Sequence, residues 1–229
     1  MNCIKYIILL VLINISIPTF SQYSKADSIA KDCRTYINNA STKLDIDPNI
    51  VEAIIFPELI RYSELQDEIE KSIVNGLYVK YGSNKGDFSI GLFQIKPSFA
   101  ENIEYQWNFT DTLAQHYNLY FDSSNKTEYA RLQRIKRLTN INYQCLYIAI
   151  FLKLMFFYYP ELKSYTKTNQ VKLLSTAYNK GVIFKKTTIQ MLENTSNIAQ
   201  FHTDLVITPF TKFYKYSDLA VEHYNSIIK

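Results

Sequence analysis

The sequence predicts a mainly α-helical protein with a small β-hairpin region. Apolar residues recur at helical spacing in segment after segment, and Pro or Gly marks most segment ends. Only residues 77–95 change character, collecting aromatic and β-branched residues around glycines. At 229 residues and 47% hydrophobic content the chain can bury one good core. No internal repeat, low-complexity segment or linker divides it, so residues 22–229 are expected to form a single domain. The formal charge of +4 does not by itself point to nucleic acid, and none is expected as a partner.

Residues 1–21 read as a signal peptide: Lys5 supplies the positive end, Ile7 to Ile17 the apolar run, and cleavage is expected after Ser21. The apolar run is shorter than the ~20 residues that span a bilayer, which favours a cleaved signal over the alternative of an uncleaved anchor helix, and no stable membrane insertion is expected after its removal. An exported chain, periplasmic or secreted, keeps Cys33 and Cys145, which can pair in an oxidising compartment or remain two buried thiols.

A leading helix is expected over 24–42, within the segment 22–45, with Ala26, Ile29, Ala30, Cys33, Tyr36 and Ile37 on one side. The next helix runs from Asp47, a natural cap with Pro48 behind it, to about Ser63. Glu58 is its only charged residue between Glu52 and Arg61, and it lies on the stripe of Val51, Ile54 and Ile55. Pro57 inside this helix removes a backbone hydrogen bond. Ser63 to Gln66 matches a capping box and starts a polar helix to about Val74, closed by Asn75-Gly76. Residues 77–81 and 87–95 then read as the hairpin, around the loop 82–86. Short helices follow from Pro97 and over 110–120, with a loop over 121–126. Residues 128–138 form a basic helix whose Arg131, Arg134 and Arg137 share a face, read as solvated. Residues 141–159 are the longest apolar helix, but Gln144 and Lys153 mark it as a core helix. Helices over 170–180, stopped by Gly181, over 187–201 and over 216–228 complete the chain.

A carboxyl group on a core-facing stripe is desolvated. Desolvation raises its pKa and keeps it available as a general acid near neutrality. Three strings give this acid a context. Ala53-Ile-Ile-Phe-Pro-Glu58 resembles the segment that carries the catalytic acid of SLT-type lytic transglycosylases. Ser89-Ile-Gly-Leu-Phe-Gln-Ile-Lys-Pro-Ser98 resembles their Ser-x-Gly-Leu-Met-Gln-Ile-x-Pro-Ser, and Ala177-Tyr-Asn-Lys-Gly181 their Ala-Tyr-Asn-Ala-Gly. The strings occur in the family's order, Pro209-Phe210 and Tyr216 echo its last segment, and the likeness covers roughly 46–224. Phe93 stands where Met is common, Lys212-Phe-Tyr214 replaces a usual Glu-Thr-Arg, and Glu64 to Lys85 looks like an insertion forming its own cleft wall.

The resemblance implies a lysozyme-like fold of the goose-type and SLT kind, acting on peptidoglycan glycan strands without metal or cofactor. It implies that Glu58 protonates the β-1,4 bond between N-acetylmuramic acid and N-acetylglucosamine and then, as a base, drives closure of a 1,6-anhydro end. Ser89, Gln94, Tyr178, Asn179 and Tyr216 would bind substrate, with Tyr178 holding Glu58 through its hydroxyl. A cell-envelope machine would fit as a partner. Two alternatives stay open: hydrolysis as in goose-type lysozymes, for which Asp87 is the nearest second carboxylate, and an exported wall-binding factor without turnover.

Overall fold

The computed structural model describes residues 2–122, 127–182, 184–202, 209, 211 and 213–229; side chains are described from residue 21 on, apart from 64–66, 69–71 and 73–75. Ten α-helices account for most of it: α1 (Asn2–Leu44), α2 (Pro48–Arg61), α3 (Glu64–Tyr81), α4 (Pro97–Phe109), α5 (Asp111–His116), α6 (Glu128–Leu138), α7 (Ile141–Tyr158), α8 (Lys167–Lys180), α9 (Ile189–Ile198) and α10 (Tyr216–Ile227). The protein is therefore mainly α. Among the described residues the β structure is limited to two isolated antiparallel bridges, Ile90 with Ile95 and Phe201 with Tyr214.

α2 is the axis. Every residue from Ile50 to Ile60 is buried, because α1, α7, α8 and α10 all pack on it, as expected for a helix apolar on every side. Asp47 accepts a hydrogen bond from the Asn49 amide at 3.0 Å, capping the helix as its sequence predicts, and the helix continues through Pro57 to Arg61. α1 presents Ala26, Ala30, Cys33, Ile37, Ala40 and Leu44 to the core at alternating spacings of four and three; Tyr36, expected on that face, is exposed. The expected cleavage point after Ser21 falls inside α1. Cys33 and Cys145 are both buried free thiols, so no bridge links them here. Burial pushes their thiols up to about 11 and about 12, which leaves them protonated. α7 is long and apolar enough to cross a membrane by length and composition, and it serves here as a core helix against α1, α2, α4 and α6.

The expected hairpin is corrected. α3 runs through Asn75-Gly76 to Tyr81, because Tyr78 is fully buried and the true stop is Gly82, whose amide reaches the Tyr78 carbonyl at 2.7 Å with φ +81°. Arg131 covers the exposed end, its Nε bonding the Val79 carbonyl at 2.7 Å. Tertiary burial outweighs a local turn signal. The expected helix over 110–120 shortens to α5, and the ends of α9 draw in by two or three residues. Residues 123–126 of the expected loop, with Phe210 and Lys212, lie outside the described residues.

The arginine face of α6 is also corrected. Arg134 is fully buried and Arg131 nearly so. Arg134 grips Glu104 of α4 through Nε at 3.0 Å and Nη2 at 2.6 Å, Arg137 reaches the other Glu104 oxygen at 2.8 Å, and Tyr147 donates to that same oxygen. A second polar knot joins α1, α2 and α10. Glu52 of α2 meets His223 of α10 at 3.0 Å and Arg34 of α1 at 2.5 Å, while His223 stacks flat on Phe56. Burial alone pushes the Glu52 carboxyl up, but its bonds to His223 and Arg34 outweigh burial and hold it below the ordinary range. His223 is thus a satisfied core histidine.

Candidate active site

Glu58 lies near the C-terminal end of α2 and is 8% exposed. Burial pushes its carboxyl up to about 7, against the opposing pull of the Arg61 charge, a hydrogen bond with Tyr216 and the Lys96 charge. It opens into a cleft of about 450 Å³ between the C-terminal end of α2, residues 87–96, the first turns of α4 and the C-terminal end of α8. Ser89, Gln94, Tyr178 and Asn179 line the same cleft. Segments far apart in the chain thus bring four of the five expected substrate contacts to one carboxyl group.

Ser89 and Asn179 are half-buried, and their side chains make no hydrogen bond to another side chain or backbone group among the described residues, so the hydroxyl and the amide can meet a ligand. Gln94 donates from Nε2 to the Gly91 carbonyl at 2.9 Å, leaving its Oε1 as an acceptor. Tyr178 differs from expectation: its hydroxyl donates to the Phe93 carbonyl at 2.6 Å instead of holding Glu58. Its ring packs edge-on against Phe99. Tyr216 also differs. It is 2% exposed and is not among the residues that line the cleft; its hydroxyl donates to the Ile54 carbonyl at 2.9 Å and lies within reach of the Glu58 carboxyl. Burial, and then the neighbouring Glu58 charge, raise both phenols well above their usual range.

The turn that carries Gln94 is short and heavily anchored. Ile90 and Ile95 exchange two backbone hydrogen bonds across it, Gly91 at φ +74° starts it, and Gln94 at φ +53° ends it. Asp67 of α3 accepts from the Gly91 amide at 2.6 Å, Gln144 of α7 accepts from the Phe93 amide at 3.0 Å, and Tyr178 of α8 donates to the Phe93 carbonyl. α3 therefore supports the turn from behind; no described residue of α3 lines the cleft, contrary to the expectation of a separate wall. A Cβ on Gly91 would meet the Gln144 amide nitrogen at 2.1 Å. Gly91→Ala is expected to cost about 2–4 kcal/mol and to displace Gln144 from Phe93, a loss read by thermal unfolding alongside turnover.

The cleft also contains residues that the motifs do not mark. Arg61 is one turn beyond Glu58 on the same helix face, a spacing readable in advance. Lys96 and Lys180 add positive charge near the opening, whereas Asp87 spends both oxygens on α4, accepting from the Ser98 amide at 2.8 Å and the Ser98 hydroxyl at 2.6 Å. Asn102 enters from α4 and bonds the Val182 carbonyl at 3.1 Å, a placement only the fold reveals. A second hollow of about 400 Å³ at the N-terminal end of α2, lined in part by Asp45, Asp47 and Lys153, contains none of the motif residues. A scan of protein-family models, a search of curated proteins and a search of solved structures each return no match for the chain.

Proposed function

We propose that this chain is a peptidoglycan lytic transglycosylase with a lysozyme-like fold, exported to the periplasm or beyond. The observation that carries the reading is the buried Glu58 carboxyl, pushed up to about 7, at the floor of a cleft where three separate strings of the sequence converge. A carboxyl titrating there is protonated in a large share of molecules near neutrality and is a competent base once it has given its proton away.

In this reading Glu58 donates its proton to the glycosidic oxygen, and the bond from that oxygen to the muramic acid C1 breaks. The carbonyl oxygen of the substrate's own N-acetyl group bonds C1 and takes up the developing positive charge, an arrangement that dispenses with a second protein carboxylate. Glu58, now ionised, removes the proton of the muramic acid C6 hydroxyl. O6 then bonds C1, the bond from C1 to the acetyl oxygen breaks, and a 1,6-anhydro end is released with Glu58 protonated again. Gln94, Asn179 and Ser89 offer polar groups to the acetamido substituents. Arg61, Lys96 and Lys180 suit the carboxylates of an anionic wall glycan.

Hydrolysis needs a base to activate water. Asp87, the nearest second carboxylate in the cleft, is occupied in capping α4 through Ser98, and this favours the anhydro route. Mass spectrometry of peptidoglycan digested by the protein distinguishes the two: 1,6-anhydromuramyl ends are expected, and reducing muramic acid ends would sink the lyase mechanism.

A further inference from the structure

α4 carries one face from the cleft out to the surface. Ser98, Asn102, Tyr105 and Phe109 are spaced four, three and four residues apart, which places them in a single stripe. Ser98 and Asn102 line the cleft. Tyr105 and Phe109 continue the stripe outside it and are 55% and 60% exposed, although Ala100, Ile103 and Trp107 on the opposite face are fully buried. The two exposed rings are nearly parallel and stacked, with centroids 6.1 Å apart and planes 21° from parallel. Lys185 reaches across from the loop after α8, its Nζ 4.6 Å from the Phe109 centroid and 5.7 Å from that of Tyr158. It does so from φ +69°, a backbone conformation that residues other than glycine rarely adopt. Among the described residues no carboxylate pairs with it.

We propose that Tyr105, Phe109 and Lys185 form a docking platform for the part of the glycan strand that extends beyond the cleft. The inference rests on the reading of the cleft as a peptidoglycan site. A polysaccharide held at Glu58 is longer than the cleft and must lie on some surface as it leaves. The stripe provides that surface without a change of direction, over about 10 Å from Asn102 to Phe109. Exposed aromatic rings offer apolar surface to the apolar faces of sugar rings, and a lysine that pairs with no carboxylate among the described residues matches the carboxylate that each muramic acid carries. The platform adds affinity for long strands and leaves the chemistry at Glu58 untouched.

The test is calorimetric titration of full-length protein carrying Glu58→Gln, which stops turnover, with peptide-free peptidoglycan tetrasaccharide and octasaccharide. Adding Tyr105→Ser and Phe109→Ser is expected to weaken octasaccharide binding about tenfold and leave the tetrasaccharide unchanged; Lys185→Ala is expected to give a smaller loss of the same kind. Phe109→Trp should retain octasaccharide affinity, and unchanged thermal melting of the surface variants separates lost contact from lost fold. Unchanged octasaccharide affinity, or an equal loss with both lengths, overturns the platform while leaving the cleft assignment intact. A parent protein that binds neither saccharide overturns both.

Discussion

Replacing Glu58 by Gln is expected to lower turnover of peptidoglycan by roughly three orders of magnitude or more, because in the proposed mechanism one residue performs both proton transfers and each is worth ~10²–10⁴. The amide keeps the shape of the side chain but has no proton to donate and no carboxylate to accept one. The fold should survive and gain stability at alkaline pH. Burial raises the Glu58 pKa to about 7, so the folded state prefers the protonated acid; stability from this group is complete below about pH 4.5 and is lost as pH rises through about 7. That loss amounts to ~3 kcal/mol, and Glu58→Gln should abolish this part of the pH dependence. Activity should follow the same titration, falling above about pH 7 as the acid is lost. Chromatography of digestion products and urea unfolding at several pH values check the two arms. Wild-type turnover in the Gln variant would remove Glu58 from the mechanism.

The second large effect concerns stability. Glu104→Ala is expected to cost about 3 kcal/mol, because it removes the carboxylate that grips the fully buried Arg134 guanidinium and leaves it with the Tyr78 hydroxyl at 2.5 Å and the more distant Glu101 carboxylate at 3.7 Å. Arg137, 17% exposed, can turn toward water, but Arg134 has no such path. The penalty belongs to a buried charge that has lost its closest carboxylate, so the double variant Glu104→Leu with Arg134→Met should recover much of the loss. Denaturant unfolding of the single and double variants tests this, and a single-variant loss below about 1 kcal/mol would show that the arginine is solvated after all. Because α4 also supplies Ser98, Phe99 and Asn102 to the cleft, a loosened α4 should weaken substrate binding as well.

The helices were largely legible because their signals are local. Periodicity, the Asp47-Pro48 start and the Gly181 stop depend on neighbours a few residues away, and α6 falls where its pattern places it. The errors lie where distant partners decide. Asn75-Gly76 is a proper turn signal, yet a buried Tyr78 whose hydroxyl meets Glu101 at 2.8 Å keeps the helix going. The arginines of α6 repeat at solvent-like spacing, and nothing in that spacing reveals Glu104 on another helix. Glu58, Ser89, Gln94 and Asn179 were readable from motifs, but Tyr178 and Tyr216 show the limit: a motif marks that a tyrosine matters, and only geometry shows that its hydroxyl serves the backbone.

The six residues from Ile90 to Ile95 have a consequence for motion. Apart from their single bridge they form no regular strand, and irregular segments usually fluctuate more than the elements around them. Here the amides of Ile90, Gly91, Phe93, Gln94 and Ile95 are all bonded, and the anchors come from three different helices. The Gly91 and Phe93 amide protons, held by side chains of α3 and α7, meet solvent deuterium only when those contacts open, so these two should exchange as slowly as the core. A ligand entering the cleft would therefore meet Gln94 in a geometry set before it arrives, with the entropy of ordering that segment already lost when the chain folded.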